Sequence, residues 1–281
     1  MRARIAAVLA GLAVAACTTL FFQPHRTQVL TPDKLGLEYQ EVTFKTSDGL
    51  ELYGWFLPAK GAAVGTVVQL HGNAENISTH FTSLAWMPAR GFNVFTFDYR
   101  GYGASEGQPS LEGAQEDIAA AMRALLQRKD IDRDRIVMYG QSLGGALAAY
   151  YLAQSTHRDA LRALVIESAF SDYTDIAQEK FADHWLTWPF QWIPKLTVDD
   201  RFSPLPVMAK ISPLPLLVLH GDQDAIVPMQ HGKRLYEAAQ EPKQLWIVQG
   251  AGHIQTMRAP AERDRLVAYL RGVLPAPPGS E

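Results

Sequence analysis

Apolar runs alternate with helical patterns over most of the chain from residue 38 onward. Eight short runs have the length and the β-branched and aromatic content of strands. Between the middle runs, apolar residues recur every three or four positions, which is typical of amphipathic helices. Strands that alternate with helices predict βαβ units and a largely parallel sheet. The predicted strands are EVTFKT from position 41, LELYGWFL from 50, TVVQLH from 66, FNVFTFDY from 92, RIVMYG from 135, ALVIES from 163, PLLVLHG from 215 and QLWIVQG from 244.

Two departures from this alternation refine the predicted fold. The first two runs are joined by Ser47-Asp48-Gly49, a hairpin turn signal, so we expect the sheet to begin antiparallel and continue parallel. The pattern breaks at about residues 172 to 212, where aromatic residues crowd among prolines, and this predicts an insertion rather than a strand. The aromatic residues are Trp185, Trp188, Phe190 and Trp192.

The first twenty residues have the pattern of a secretory signal. Two arginines precede an apolar run over residues 5–16, which ends in small residues before Cys17. This run is shorter than the roughly 20 residues of a transmembrane helix, although residues 20–22 could extend it into an uncleaved anchor. We therefore predict a signal peptide over residues 1–16. Residues 17–37 contain prolines without periodicity and predict a tether.

The sequence Val14-Ala15-Ala16-Cys17 resembles the lipobox of bacterial lipoproteins. In that class the cysteine is lipidated and becomes the mature N-terminus, and a residue other than Asp after it, here Thr18, favours the outer membrane. The resemblance implies a protein of the cell envelope, anchored through Cys17 and facing the periplasm. An ordinary secretory signal is the alternative, and it would leave the protein secreted or held in the inner membrane.

Composition narrows the class of protein further. The 281 residues are 47% hydrophobic and 20% charged, which indicates a globular chain. With 26 basic and 29 acidic side chains and no clustered basic stripe, the chain is not expected to bind nucleic acid. Its single cysteine cannot form an internal disulfide or a multi-cysteine metal site.

A serine stands between two glycines after the fifth predicted strand. The sequence Gly140-Gln141-Ser142-Leu143-Gly144 matches GxSxG, and a strand before it and a helix after it are the context of a nucleophile elbow. The serine of an elbow occupies a strained turn, and the two glycines let the backbones pass. Ser142 is therefore the predicted nucleophile, and a tight turn without chemistry is the alternative.

A serine hydroxyl needs a base to activate it, and the base needs an orienting acid. Of eight histidines, only His231 and His253 follow the later strands near polar turn residues. His253 lies among small residues that leave its ring free to reach into a site, whereas His231 lies inside an apparent helix. Asp224, in the loop after the seventh strand, is the first candidate for the acid. Asp222 and Glu167 remain open as alternatives.

The motifs GQSLGG, HGDQDAIVP and GAGH resemble the α/β-hydrolase superfamily, in particular serine hydrolases of its BEM46-like and monoglyceride-lipase-like branches. The resemblance extends over about residues 41–275. It implies an α/β-hydrolase domain over residues 38–281, with a mostly parallel eight-stranded sheet, flanking helices and a short lid at about 172–212. It also implies that Asp224 is the acid of the triad and that Asp222 shapes its loop.

The same resemblance assigns tasks to two further loops. HGNAEN resembles the oxyanion motif of the family, which implies that the backbone N–H groups of Asn73 and Leu143 bind the oxyanion. His71 and His220 then have structural roles in their loops. Neither is expected to bind a metal, because no HExxH motif or acidic cluster accompanies them.

The segment from Asp98 to Gly107 offers two competing interpretations. The first is a dinucleotide-binding fingerprint, because the segment contains GxG after a strand. Against it, the third glycine of that fingerprint is one residue late and Glu106 stands in its place. Asp98 could be a nucleophile as in epoxide hydrolases, but those enzymes carry the aspartate at the elbow, where this chain has Ser142. In the resembled family this segment is a loop beside the mouth of the site.

These features predict a serine hydrolase that cleaves acyl esters or thioesters of small molecules through an acyl-enzyme, without a metal or an organic cofactor. The aromatic residues from Phe181 to Trp192 could line an acyl pocket, meet a membrane interface or simply pack the lid against the body of the domain. Cleavage of amides by the same triad is one alternative. A non-catalytic envelope lipoprotein that binds an apolar ligand is another, and the oligomeric state is left open.

Overall fold

Eight strands form one mixed sheet in the computed structural model, which describes residues 21–183 and 185–276. They lie where the apolar runs predict them: β1 Gln40–Lys45, β2 Glu51–Leu57, β3 Gly65–Leu70, β4 Phe92–Phe97, β5 Ile136–Gln141, β6 Leu161–Glu167, β7 Leu216–Gly221 and β8 Lys243–Val248. Their order across the sheet is β8-β7-β6-β5-β3-β4-β2-β1. β2 is antiparallel to both β1 and β4, and all other pairs are parallel, as predicted.

Helices cover both faces of this sheet. They are α1 Ile77–His80, α2 Leu111–Gln127, α3 Leu143–Gln154, α4 Tyr173–Asp183, α5 Pro194–Thr197, α6 Met229–Ala238 and α7 Pro260–Val273. Val68 and Leu70 of β3 belong to the apolar core that α2 and α3 complete, whereas Val67 belongs to a second core that includes α7. Successive strand residues point to opposite faces, so the central strands must be apolar on both sides. None of the described helices combines the length and the apolar character needed to cross a membrane.

The predicted insertion consists of α4, α5 and three short 3-10 turns in its described residues. Its tryptophans lie on the outer surface: Trp188 is 59% exposed and Trp192 is 54% exposed. More than half of each of these two residues is therefore exposed.

The segment before β1 differs from the predicted tether. The described part, residues 21–37, packs on the domain, and Phe21 and Phe22 are only 8% and 4% exposed. Gln23–Pro24 pairs in parallel with Ala74–Glu75. We call residues 21–29 the N-terminal strap. The buried side chains of Phe21 and Phe22 hold this segment on the domain. Its prolines and its lack of periodicity predicted a tether instead. The predicted signal peptide, residues 1–16, and Cys17 lie outside the described residues.

A buried ion pair ties the loop after β4 to α2. Arg100 donates from Nε to Asp117 Oδ1 over 2.9 Å, and its backbone N–H donates to Oδ2 over 2.8 Å. The Arg100 guanidinium also donates to Asp48 in the β1–β2 turn, with 3.0 Å between Nη1 and Oδ2. Asp117 is fully buried, so its loss would leave the Arg100 charge with a single, half-exposed partner.

We expect Asp117→Ala to lower the free energy of unfolding by about 3 kcal/mol or more, because removing one partner leaves a buried charge uncompensated. Asp130→Ala is the matched control, since Asp130 pairs with Arg128 at the surface, where such pairs contribute about 0–1 kcal/mol. Urea denaturation of both variants measures the difference. Equal losses in the two variants would contradict this account of the loop.

Candidate active site

The backbone at Ser142 has the strained geometry expected of a nucleophile elbow. Ser142 lies between β5 and α3 with φ 53° and ψ −118°, a conformation that a residue with a side chain rarely adopts. Its N–H donates to the carbonyl oxygen of Glu167 on β6 over 2.8 Å. This turn places Ser142 at the end of β5, on the wall of a cavity.

Two glycines make this turn possible. A Cβ at Gly140 would lie 2.5 Å from the carbonyl oxygen of Gly144 and 2.6 Å from Cα of Gly145. A Cβ at Gly144 would collide with the carbonyl oxygens of Leu70 and His71. Both contacts are with backbone atoms, which cannot swing aside as a side chain would. The spacing GxSxG is therefore a steric requirement of this junction.

His253 and Asp224 meet at the ends of β8 and β7. Nδ1 of His253 lies 2.9 Å from Asp224 Oδ2 and 3.2 Å from Oδ1. The backbone N–H groups of Ile226 and Val227 also donate to Asp224 Oδ1, over 2.9 Å and 2.8 Å. A carboxylate can only accept, so Nδ1 carries the proton in this pair and Nε2 is left to accept one.

Electrostatics keep Asp224 ionised. Burial alone would raise the pKa of this carboxyl, but hydrogen bonds from His220 and His253, the electrostatic interaction with His253 and the Val227 amide outweigh burial and hold the pKa well below its usual range. A permanently charged carboxylate orients the His253 ring and favours the imidazolium that forms when the ring takes a proton.

Ser142 and His253 line one cavity of about 450 Å³, within the range of about 300–1,000 Å³ that small-molecule sites occupy. Its wall is largely apolar and includes Phe21, Phe170, Ile176, Ala177, Ile226 and Val227. Among the described lining residues, Lys180 alone carries a permanent charge. The aromatic residues of the insertion from Trp185 to Trp192 are not among them, and the described lining residues of the insertion are Ile176, Ala177 and Lys180 of α4.

The predicted oxyanion donors belong to the same cavity. Asn73 and Leu143 both line it, Asn73 on the loop after β3 and Leu143 as the first residue of α3. The Tyr102 hydroxyl donates to the carbonyl oxygen of Asn73 over 2.5 Å, and the backbone N–H of Gln23 donates to its Oδ1 over 2.8 Å. These two hydrogen bonds hold the loop at Asn73. That the backbone N–H of Asn73 binds the oxyanion stays a prediction.

The alternative acids and bases have other partners. Asp222 Oδ1 accepts the N–H of Gly250 over 2.7 Å, which shapes the adjoining loops. His231 is buried, accepts the N–H of Ser171 at Nδ1 over 3.0 Å, and lies 2.9 Å from Glu179 through Nε2. That histidine therefore joins α6 to α4.

Glu167 connects the elbow to the histidine loop. Its Oε2 accepts from Tyr139 Oη over 2.9 Å and from Gln141 Nε2 over 2.7 Å. Its Oε1 accepts from the N–H of Thr256 over 3.0 Å and from the Thr256 hydroxyl over 2.5 Å. The sequence predicts Glu167 only as a candidate acid. A carboxylate at the end of an almost fully buried strand is the signal that it needs several hydrogen-bond donors.

Asp98 and His71 lie together, directly after the ends of β4 and β3, rather than at the elbow. The N–H of Ile77 donates to Asp98 Oδ1 over 2.8 Å, and burial raises the pKa of Asp98 to about 7. His71 lies 3.7 Å from Asp98 through Nε2, and its Nδ1 lies 2.8 Å from the Gly72 carbonyl oxygen. Across residues 21–183 and 185–276, no three metal-binding side chains come together to hold an ion.

Comparison with known proteins agrees with this architecture. Residues 78–274 match the model of the prolyl oligopeptidase family. The uncharacterized protein YfhR of Escherichia coli K12 is 35% identical over 263 residues, which cover 90% of this chain and 87% of YfhR. The protein bem46 of Schizosaccharomyces pombe is 32% identical over 213 residues, 74% of this chain and 68% of bem46. An esterase from Pyrococcus furiosus has the same fold, with a TM-score of 0.73, 23% identity, and coverage of 91% of this chain and 99% of that one.

The fold and the strand-end site define an α/β-hydrolase. The chain belongs to the prolyl oligopeptidase family of that superfamily, and its predicted resemblance to BEM46-like proteins is confirmed. Membership of this family supports a serine hydrolase. The monoglyceride-lipase-like part of the resemblance stays a prediction.

We expect Gly140→Ala to slow the reaction of Ser142 with a fluorophosphonate probe by about 10²-fold, because displacement of the elbow by about 1 Å misaligns the nucleophile. Gly272→Ala is the matched control, since a Cβ at Gly272 meets nothing within 4 Å. Labelling rates measured by gel fluorescence compare the variants. A labelling rate for Gly140→Ala equal to that of the wild type would contradict the steric account.

Proposed function

We propose that this protein is a serine hydrolase that cleaves carboxylic acyl esters or thioesters through a Ser142-His253-Asp224 triad. The observation that carries the proposal is the shared cavity: Ser142 in its elbow and His253 held by Asp224 open on one largely apolar space. An apolar wall next to a nucleophile suits a substrate with an acyl chain. Small-molecule esters are therefore the proposed substrate class.

The proposed cycle begins when Ser142 Oγ attacks the acyl carbonyl carbon while His253 Nε2 accepts the serine proton. The N–H groups of Asn73 and Leu143 donate to the oxyanion, an interaction that contributes on the order of 3 kcal/mol per donor to transition-state stabilisation. Collapse of the intermediate breaks the ester bond, and the leaving alcohol or thiol takes the proton from His253. The acyl group remains on Ser142.

The second half of the cycle removes that acyl group. His253 accepts a proton from a water molecule as the water oxygen attacks the acyl carbon. When the second tetrahedral intermediate collapses, the bond from the acyl carbon to Ser142 Oγ breaks, His253 donates the proton to Oγ, and the carboxylic acid leaves. Asp224 stays ionised throughout and stabilises the imidazolium in both halves. Each step uses side chains, backbone N–H groups and water, so the cycle needs neither a metal nor an organic cofactor.

Amide or peptide cleavage is the second candidate, because the matching family is that of prolyl oligopeptidase. The same triad acts on both substrate classes. The apolar cavity favours acyl esters over a polar peptide backbone. Paired ester and amide substrates with the same acyl group separate the two activities.

We further propose that the protein is a lipoprotein of the bacterial envelope, anchored in the outer membrane through Cys17 and facing the periplasm. The lipobox-like sequence before Cys17 supports this proposal. Exposed aromatic side chains on the insertion, including Trp188, Phe190 and Trp192, are of the kind that favours a membrane interface. Secretion and retention in the inner membrane are the competing outcomes.

We expect Ser142→Ala to lower the hydrolysis of p-nitrophenyl esters by about 10³-fold or more, because the triad then lacks its nucleophile. The wild type should also bind a fluorophosphonate covalently, whereas Ser142→Ala should not. Ser47→Ala, at an exposed turn residue that bonds to Glu116, is the matched control and should retain full activity. A wild type that neither hydrolyses esters nor binds the probe would instead support the non-catalytic ligand-binding alternative.

We expect Cys17→Ser to abolish the incorporation of an azide-bearing fatty acid when the full chain is expressed in a Gram-negative bacterium. The protein should also leave the outer-membrane fraction. Cell fractionation with gel fluorescence measures both effects, and Ser142→Ala is the control that should still be lipidated. Fatty-acid label that persists in Cys17→Ser would rule out the lipobox.

A further inference from the structure

The N-terminal strap forms part of the wall of the candidate active site. Phe21 lines the same cavity as Ser142 and His253 and is 8% exposed. We infer that Phe21 is a specificity-determining residue, whose ring limits the length of the apolar group that the cavity accepts. This inference rests on the proposed hydrolase function and concerns which esters that function selects.

The Phe21 ring is fixed by aromatic contacts. Its centroid lies 4.9 Å from that of Tyr173, with an edge-on angle of 84°, and 6.3 Å from that of Phe170. Phe170 and Ile176 line the cavity beside it. Phe21 therefore closes a gap between the strap and the start of α4, and it does so with a side chain that cannot turn away without losing these contacts.

Hydrogen bonds hold the strap backbone from Gln23 to Thr27, so we expect removal of the Phe21 ring to leave space rather than a collapsed wall. The side-chain amide of Asn76 donates to the carbonyl oxygens of His25 and Thr27 over 3.0 Å and 2.8 Å. Arg26 donates from Nη1 to the carbonyl oxygen of Ser105 over 2.6 Å. A large-to-small substitution at a site that cannot relax leaves a cavity.

The backbone N–H of Gln23 links this wall to the proposed oxyanion loop. It donates to Asn73 Oδ1 over 2.8 Å, two residues after Phe21. The strap that carries Phe21 is therefore hydrogen-bonded to the loop that would bind the carbonyl oxygen. An acyl group is held at both ends in this arrangement, its carbonyl at Asn73 and its apolar part against Phe21.

Phe22 supplies a matched control on the same strap. Its side chain is 4% exposed and its ring lies 6.4 Å from that of Tyr102, and it is not among the described residues that line the cavity. Phe22→Ala removes as much aromatic surface from the strap as Phe21→Ala does. Only the Phe21 substitution opens the cavity.

The test measures kcat/KM for p-nitrophenyl esters from acetate to dodecanoate, with the full chain as wild type, Phe21→Ala, Phe21→Leu and Phe22→Ala. We expect Phe21→Ala to favour longer esters than the wild type does, with a gain of about fourfold in relative kcat/KM for each methylene that becomes buried. Phe21→Leu should shift the profile in the same direction by less, and it carries the test if Phe21→Ala does not fold. Phe22→Ala should keep the wild-type profile, whatever its overall rate.

Two failures are distinguishable in this design. If the wild type hydrolyses the esters and binds a fluorophosphonate at Ser142, but the Phe21 variants keep the wild-type profile, the inference about Phe21 is overturned and the hydrolase stands. The inference is overturned in the same way if Phe22→Ala shifts the profile as much as Phe21→Ala does. If the wild type neither hydrolyses the esters nor binds the probe, the proposed function itself fails.

Discussion

The close approach of backbones at Ser142 is the constraint on which the rest of the site depends. β5 passes into α3 through one residue with a positive φ, and Gly140 and Gly144 stand where any Cβ would meet a backbone atom. Strain of this kind costs on the order of 1–3 kcal/mol and persists only where the surroundings enforce it. Here the central strands enforce it, because they are buried on both faces and cannot shift.

The parallel arrangement of β5 to β8 brings the other chemical groups to the same edge. Parallel strands end together, so the loops after β7 and β8 place Asp224 and His253 beside the elbow although 82 and 111 residues separate them from Ser142 in the sequence. Glu167 then ties the elbow to the loop after β8 through Gln141 and Thr256. A satisfied buried network of this kind fixes the geometry before substrate arrives, which is how active sites lower the cost of reorganisation.

Local signals account for what the sequence could predict. Each strand is a short apolar run and the elbow lies within seven residues, so the fold and the position of Ser142 follow from neighbours in the chain. The sequence predicts a tether in place of the strap because the partners of the strap, Tyr102 and Tyr173, lie about 80 and 150 residues away and leave no periodic pattern nearby. The network around Glu167 was missed for the same reason, since Thr256 is 89 residues distant. The tryptophans of the insertion were equally ambiguous, because composition does not say which side of a lid a ring faces.

Transfer of an acyl group to Ser142 is the central claim, and the acyl-enzyme itself is its most direct evidence. The wild-type protein is mixed with an activated p-nitrophenyl ester, quenched with acid within milliseconds, digested and analysed by mass spectrometry. The account predicts one acyl group per protein, on the peptide that contains Ser142, and its disappearance as the reaction proceeds. Ester consumption without an acyl adduct, or an adduct on a different residue, would contradict it.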